Sequence, residues 1–186
     1  MGNALGTVIY NLAFSPKIRH IDVSDAIKSS AEVAEAFYKL IKISGAVETL
    51  NMRNSGVAQH LNNEDFFKAL GENKTIKHLM IDAVGPIGSD QQKLLGKAVA
   101  MNAYRNGALE MLSVEKWFKS KGTFWYFIDS LNISNKDHEL WYGDKKVAQE
   151  MKKEDLVKHM NFKIKYLNIA EGPIGNFGVN YKTLKK

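Results

Sequence analysis

One apolar skeleton recurs six times along this chain: Ile18-x-x-Ile21-x-Val23, Val47-x-x-Leu50-x-Met52, Ile76-x-x-Leu79-x-Ile81, Leu109-x-x-Leu112-x-Val114, Ile128-x-x-Leu131-x-Ile133 and Ile164-x-x-Leu167-x-Ile169. The first three begin 29 residues apart, at 18, 47 and 76, and the fourth follows after 33. A second repeat keeps the same frame, because Gly85-Pro86-Ile87-Gly88 returns as Gly172-Pro173-Ile174-Gly175 three units of 29 later. Self-similarity at this period is the mark of a solenoid, in which each unit buries its apolar face against its neighbours.

Residues 47–75 show what one unit is. Val47 to Met52 alternates apolar and polar side chains over its second half, as a half-buried strand does. Asn54-Ser55-Gly56 is turn chemistry. Asn63-Glu64-Asp65 opens a helix, with an Asn cap and carboxylates at the positive end of the dipole. Phe66, Phe67 and Leu70 give that helix an apolar stripe, and Gly71 to Thr75 ends it. The unit is strand, loop, helix, loop. Neighbouring units predict helices through Val33, Phe37, Leu40 and Ile41, from about Asp90 through Leu94, Leu95, Ala98 and Val99, and over Lys153–Met160. Leu5, Ile9 and Leu12 fit the helix of an opening, truncated repeat.

The rhythm breaks over residues 109–163. Ile128-Asp129-Ser130-Leu131-Asn132-Ile133 follows the preceding strand after only 19 residues. Either it is the strand of a short repeat, or Phe124–Leu131 is a helix inside one long repeat. The match of Leu131-Asn132-Ile133-Ser134-Asn135 to Leu50-Asn51-Met52-Arg53-Asn54 favours the short repeat. All three tryptophans (Trp117, Trp125, Trp141) lie here, with Phe118, Phe124, Tyr126, Phe127 and Tyr142. Such a run is core filler or an exposed patch for a partner, and core filler is the expectation.

Composition narrows the function classes. An apolar content of 45% and a charged content of 25% are those of a globular chain, and no stretch is apolar enough to span a membrane. There are no cysteines, which excludes disulfides, thiolate metal sites and thiol catalysis and suits the cytoplasm. Of the net charge of +6, most sits in residues 136–186, which hold 11 Lys/Arg against 7 Asp/Glu. Glu150, Glu154 and Asp155 interrupt the lysines there, so a solvated helix face is expected and nucleic acid is not. Met1-Gly2-Asn3-Ala4-Leu5-Gly6 resembles a myristoylation start only loosely, because Gly6 stands where Ser or Thr belongs. Lipidation at Gly2 is therefore not expected. The whole of residues 1–186 reads as one domain of five to six repeats, with truncated or atypical repeats at both ends, as in a segment of a longer solenoid.

With x-x-L-x-L strands, a period near 29 and an amphipathic helix in each regular unit, the chain resembles the leucine-rich repeat family, in its ribonuclease-inhibitor-like subclass. The resemblance runs over the whole chain and implies an α/β fold, a right-handed horseshoe segment with a concave parallel sheet and convex helices. It implies binding of a protein and no particular chemistry. Ala69-Leu70-Gly71-Glu72-Asn73-Lys74-Thr75-Ile76-Lys77-His78-Leu79 is weakly similar to the actin-regulatory tropomodulin and CARMIL repeats, although the phrase is common across the subclass. The family's Asn that closes the strand turn is displaced or absent, with Ser55 and Val84 where it would be expected.

Catalytic signatures are not evident. No nucleophile elbow, phosphate-binding loop, dinucleotide fingerprint or His-Glu-x-x-His motif occurs, and Gly85-Pro86-Ile87-Gly88-Ser89 reads as a structural turn. No enzyme activity, cofactor or metal is expected, and His20 and His78 read as surface residues of the sheet. Strand alternation instead lists the solvent-facing side chains: His20, Thr49, His78, Met111, Ser130 and Tyr166, then Asp22, Asn51, Met80, Ser113, Asn132 and Asn168, with Arg53 in the next column. His20, Asp22, Thr49, Asn51, Arg53, His78, Met80, Met111, Tyr166 and Asn168 are the candidate partner-binding residues. Tyr166, Arg53, Met80 and Met111 lead as hot spots. The expected function is that of a non-enzymatic scaffold for another protein. Its rivals are a regulator of an enzyme, either GTPase-activating or inhibitory, an actin-regulatory domain, and a nucleic-acid-associated subunit that uses the lysine-rich last quarter.

Overall fold

The computed structural model describes residues 2–25, 30–61, 64–85, 87–105, 107–131 and 163–169. Helices and short strands alternate through them: α1 (Gly2–Leu12), β1 (His20–Asp22), α2 (Ala31–Ile43), β2 (Thr49–Asn51), α3 (Glu64–Glu72), β3 (His78–Met80), α4 (Ser89–Tyr104), β4 (Met111–Ser113), α5 (Lys121–Ser130) and β5 (Tyr166–Asn168). A single 3₁₀ turn, Val57–His60, lies between β2 and α3. The fold is α/β, with one five-stranded parallel sheet ordered β1-β2-β3-β4-β5, as in the chain.

The register is the one the skeleton demands. Ile21, Leu50, Leu79, Leu112 and Leu167 lie side by side across the sheet, as do His20, Thr49, His78, Met111 and Tyr166. The first four of the apolar row are buried, among the side chains of α2 to α4: Phe37, Leu40, Ile41, Phe66, Phe67, Leu70, Leu95 and Val99. Burying each of these large side chains contributes roughly 1.5–3 kcal/mol, which a single unit could not collect alone. Each helix packs on the next in the series α1 to α5. Where strand follows strand, the carbonyl one residue before the ladder accepts two amides. Arg19 takes Glu48 and Thr49, Glu48 takes Lys77 and His78, Lys77 takes Glu110 and Met111, and Glu110 takes Lys165 and Tyr166.

The step of 33 residues has a local cause. Ser44, Asn73 and Asn102 stand 29 apart, and each accepts backbone amides that open the following segment. Ile76 N–H donates to Asn73 Oδ1 at 2.7 Å, and Leu109 N–H donates to Asn102 Oδ1 at 3.3 Å. Three residues separate Asn73 from Ile76, but seven separate Asn102 from Leu109. The extra four residues therefore fall after Asn102, where α4 runs on to Tyr104, and the 29-residue frame of the helices is kept.

The structure corrects one strand. Ile128 to Ser130 belongs to α5, so the strand expected to start at Ile128 is a helix there, and β5 pairs directly with β4. Ser120 caps α5 by accepting the Thr123 amide at 3.3 Å. Phe127 is then buried, and Phe124, Ile128 and Leu131 pack half-buried against the core at helical spacing. The expected helix at Lys153–Met160 and the second Gly-Pro-Ile-Gly lie outside the described residues. In the first, Gly88 N-caps α4 and donates its amide to Gln91 Oε1 at 3.1 Å, which fits a structural turn.

Candidate functional site

Side chains on the sheet face opposite the buried leucine row form the candidate site. Its β3–β5 half is the more apolar. Met111 and Tyr166 are register partners on β4 and β5, His78 sits beside Met111 on β3, and Met80 is two residues further along β3, beside Ser113. Met80 and Met111 are half-buried, while Tyr166 is 56% exposed. The β1–β2 half is polar, with His20, Asp22 and Arg53 exposed and Thr49 half-buried. Thr49 Oγ1 lies 3.3 Å from His78 Nδ1, so one histidine of the face is tied to its neighbour.

Two side chains of this face differ from expectation. Asn51 and Ser113 are buried, although alternation assigns them to solvent. Both bond laterally to an aspartate at the end of the neighbouring strand. Asn51 Nδ2 donates to Asp22 Oδ2 at 2.9 Å, and Asn51 Oδ1 accepts from the Arg53 amide at 3.2 Å. Ser113 Oγ donates to Asp82 Oδ1 at 2.7 Å, and the Glu115 amide donates to the same oxygen at 2.8 Å. Asn168 Nδ2 donates to Glu115 Oε1. These bonds stitch adjacent strands at their C-terminal ends, and Asn51 is buried among them. Hydrogen bonds from Ser24 and then Asn51 hold the Asp22 carboxyl below the usual range.

A row missed by sequence reading borders the face at the strands' starting edge. Arg19, Glu48, Lys77, Glu110 and Lys165 alternate in sign from β1 to β5. Lys77 Nζ is 2.7 Å from Glu48 Oε2, Arg19 Nη1 is 3.6 Å from Glu48 Oε1, and Lys165 Nζ is 2.7 Å from Glu110 Oε2. The hydrogen bond from Lys77 lowers the Glu48 pKa, and that from Lys165 lowers the Glu110 pKa. The repeat spacing, applied to the residue just after each first apolar position, would have found this row.

The aromatic segment divides. Trp117, Phe118 and Phe127 are buried, and Trp117 Nε1 donates to the Ile81 carbonyl at 2.6 Å, so this part is core. Trp125 is 59% exposed and Tyr126 is exposed beside it, on α5. In the turn after β2, Ser55 Oγ donates to the Met52 carbonyl at 2.6 Å and accepts from the Val57 amide at 3.3 Å. Val84, in the connection after β3, is exposed.

Among the described residues no three His, Asp or Glu side chains are placed to hold a metal ion, and no helix is long and apolar enough to cross a membrane. Ser134, Asn132, Trp141 and Tyr142, and the lysines at 152, 153, 185 and 186, lie outside the described residues. The face offers hydrogen-bonding groups beside thioethers and a phenol, which is chemistry for contact. No protein-family model matches the chain, and comparison with curated proteins returns no match.

Proposed function

We propose that this chain is a leucine-rich-repeat segment, a solenoid with the sheet on its concave side, that binds another protein through the open face of the sheet. One observation carries the reading: a parallel sheet in chain order presents Met80, Met111 and Tyr166 together on the face opposite its buried leucine row. Aromatic and methionine side chains are enriched in interfaces, and a cluster of them framed by polar groups is the usual anatomy of a binding centre. His20, Asp22, Thr49, Arg53, His78 and Asn168 supply the polar frame. On this reading the protein acts as a scaffold and carries no catalytic group of its own.

Capture from native extract by the tagged protein, with mass spectrometry, tests the proposal. Wild type and Trp125→Ala are expected to retain the same stable partner. The double variant Met111→Ala/Tyr166→Ala, still folded by circular dichroism, is expected to lose about 30-fold or more in affinity, the scale of a hot-spot loss. Absence of a stable partner, or equal capture by the double variant, would overturn the reading.

A further inference from the structure

β1 forms one edge of the sheet, and its outer side pairs with no strand among the described residues. The backbone shows what that edge is ready to accept. By register Arg19 and His20 correspond to Glu48 and Thr49, whose amides the Arg19 carbonyl accepts, and to Lys77 and His78, whose amides the Glu48 carbonyl accepts. Among the described residues no carbonyl accepts the amides of Arg19 and His20. Asp22 corresponds in the same way to Met80, whose carbonyl accepts the Met52 amide at 2.7 Å.

Side chains around the edge are incompletely covered. Ile18 and Val23 are half-buried, whereas the corresponding pairs Val47/Met52, Ile76/Ile81 and Leu109/Val114 are buried. At this end of the helix series Val8 on α1 is 53% exposed and Phe14, just after it, 58%. A further strand beside β1 would take up the two amides and cover Ile18 and Val23. The charged row indicates what that strand should carry. In two neighbouring pairs, Glu48 with Lys77 and Glu110 with Lys165, a glutamate of one strand holds the cation of the next at 2.7 Å. Arg19 ends the row with its side chain 51% exposed, meeting Glu48 at 3.6 Å on the β2 side. An acidic residue at the matching position of an added strand continues the alternation. A second copy stacked end to end would instead set Lys165 of β5 beside Arg19, cation against cation.

We infer that the outer edge of β1 takes up an extended peptide segment of a partner protein, as a further parallel strand with Glu or Asp beside Arg19. Main-chain bonds give such a contact its affinity, and the acidic residue sets its register. The edge is distinct from the open face, and the inference does not rest on the reading above.

A synthetic peptide with the sequence Ala46 to Asn54 serves as the probe, because that segment stands before β3 as the occupant would stand before β1. Amide hydrogen exchange of the full chain, read by NMR, is expected to slow about tenfold or more at Arg19 and His20 when the peptide saturates. Fluorescence anisotropy with the labelled peptide reads affinity. Glu48→Gln in the peptide is expected to weaken binding about threefold, and N-methylation at its Met52 about fivefold. Arg19→Gln in the protein is expected to cost the same factor of about three and to make the glutamate and glutamine peptides equal. Lys165→Gln, at the far end of the row, is expected to bind as wild type does. Unchanged exchange at Arg19 and His20, equal binding of the three peptides by wild type, or a loss on Lys165→Gln in place of Arg19→Gln would overturn the inference. So would protection of those amides that rises with protein concentration in the absence of peptide, because a second copy is then the occupant. Each outcome leaves the open-face reading to its own capture experiment.

Discussion

Asn102 Nδ2 donates to the carbonyl of Asn73, its own counterpart one repeat earlier, at 2.9 Å. The same amide donates to the Leu70 carbonyl at 3.0 Å, and Asn73 Nδ2 donates to the Ile41 carbonyl at 2.8 Å. Each asparagine therefore satisfies the loose carbonyl end of the preceding helix and, through its Oδ1, the amide that opens the following strand. This is a side-chain link between units, repeated at the period of the fold, in a place where unpaired backbone groups would be buried.

Removing that link should be costly. Asn102→Ala leaves the Asn73 carbonyl and the Leu109 amide without these buried partners and takes from the Leu70 carbonyl one of its two donors, the Asn73 amide remaining. Each unsatisfied group costs about 1–3 kcal/mol, partly relieved by water, so a total loss of about 2–5 kcal/mol is expected from urea unfolding. A loss below about 1 kcal/mol would show that the link is dispensable.

Two glycines should answer the same substitution with opposite signs. A Cβ on Gly96 of α4 would collide with the Phe127 carbonyl of α5 and lie 2.8 Å from Ser130 Cβ. Gly96→Ala should therefore force the helices apart and lower stability by about 1–3 kcal/mol. On Gly6 of α1 the added Cβ would meet nothing nearer than 3.7 Å. Gly6→Ala should raise stability by about 0.5–1 kcal/mol through helix propensity. Thermal unfolding of the two variants reads both signs.

Acid should loosen the charged row. Glu48 and Glu110 have pKa values lowered by Lys77 and Lys165, and Asp22 by Ser24 and Asn51. Since the folded values lie below the unfolded ones, the stabilisation is complete above the unfolded pKa of about 4 and is lost as pH falls through the folded values. The urea midpoint should be flat from neutrality to about pH 5 and fall below about pH 4. Glu48→Gln/Glu110→Gln should flatten that fall, and an unchanged acid profile in the double variant would remove the row as its source.

Much of the fold was legible in the sequence because the period and the strand alternation report the same burial. Ile21, Leu50, Leu79 and Leu112 align as their spacing requires. Ile128-x-x-Leu131 misled because apolar residues three apart suit a helix as well as this strand skeleton, and the Ser120-x-x-Thr123 start decides for the helix. Asn51 and Ser113 were assigned to solvent by alternation, which carries no information on the lateral hydrogen bonds they donate to Asp22 and Asp82. The asparagine link is not carried by strand alternation, because Asn73 and Asn102 stand before their strands and act through side-chain bonds to backbone.

The open-face reading is tested most directly by hydroxyl-radical footprinting of the protein with and without its captured partner. Met80, Met111 and Tyr166 should lose most of their oxidation in the complex, while Trp125 and Tyr126 on α5 stay as reactive as in the free chain. Protection of Trp125 and Tyr126 with Met80, Met111 and Tyr166 unchanged would contradict it.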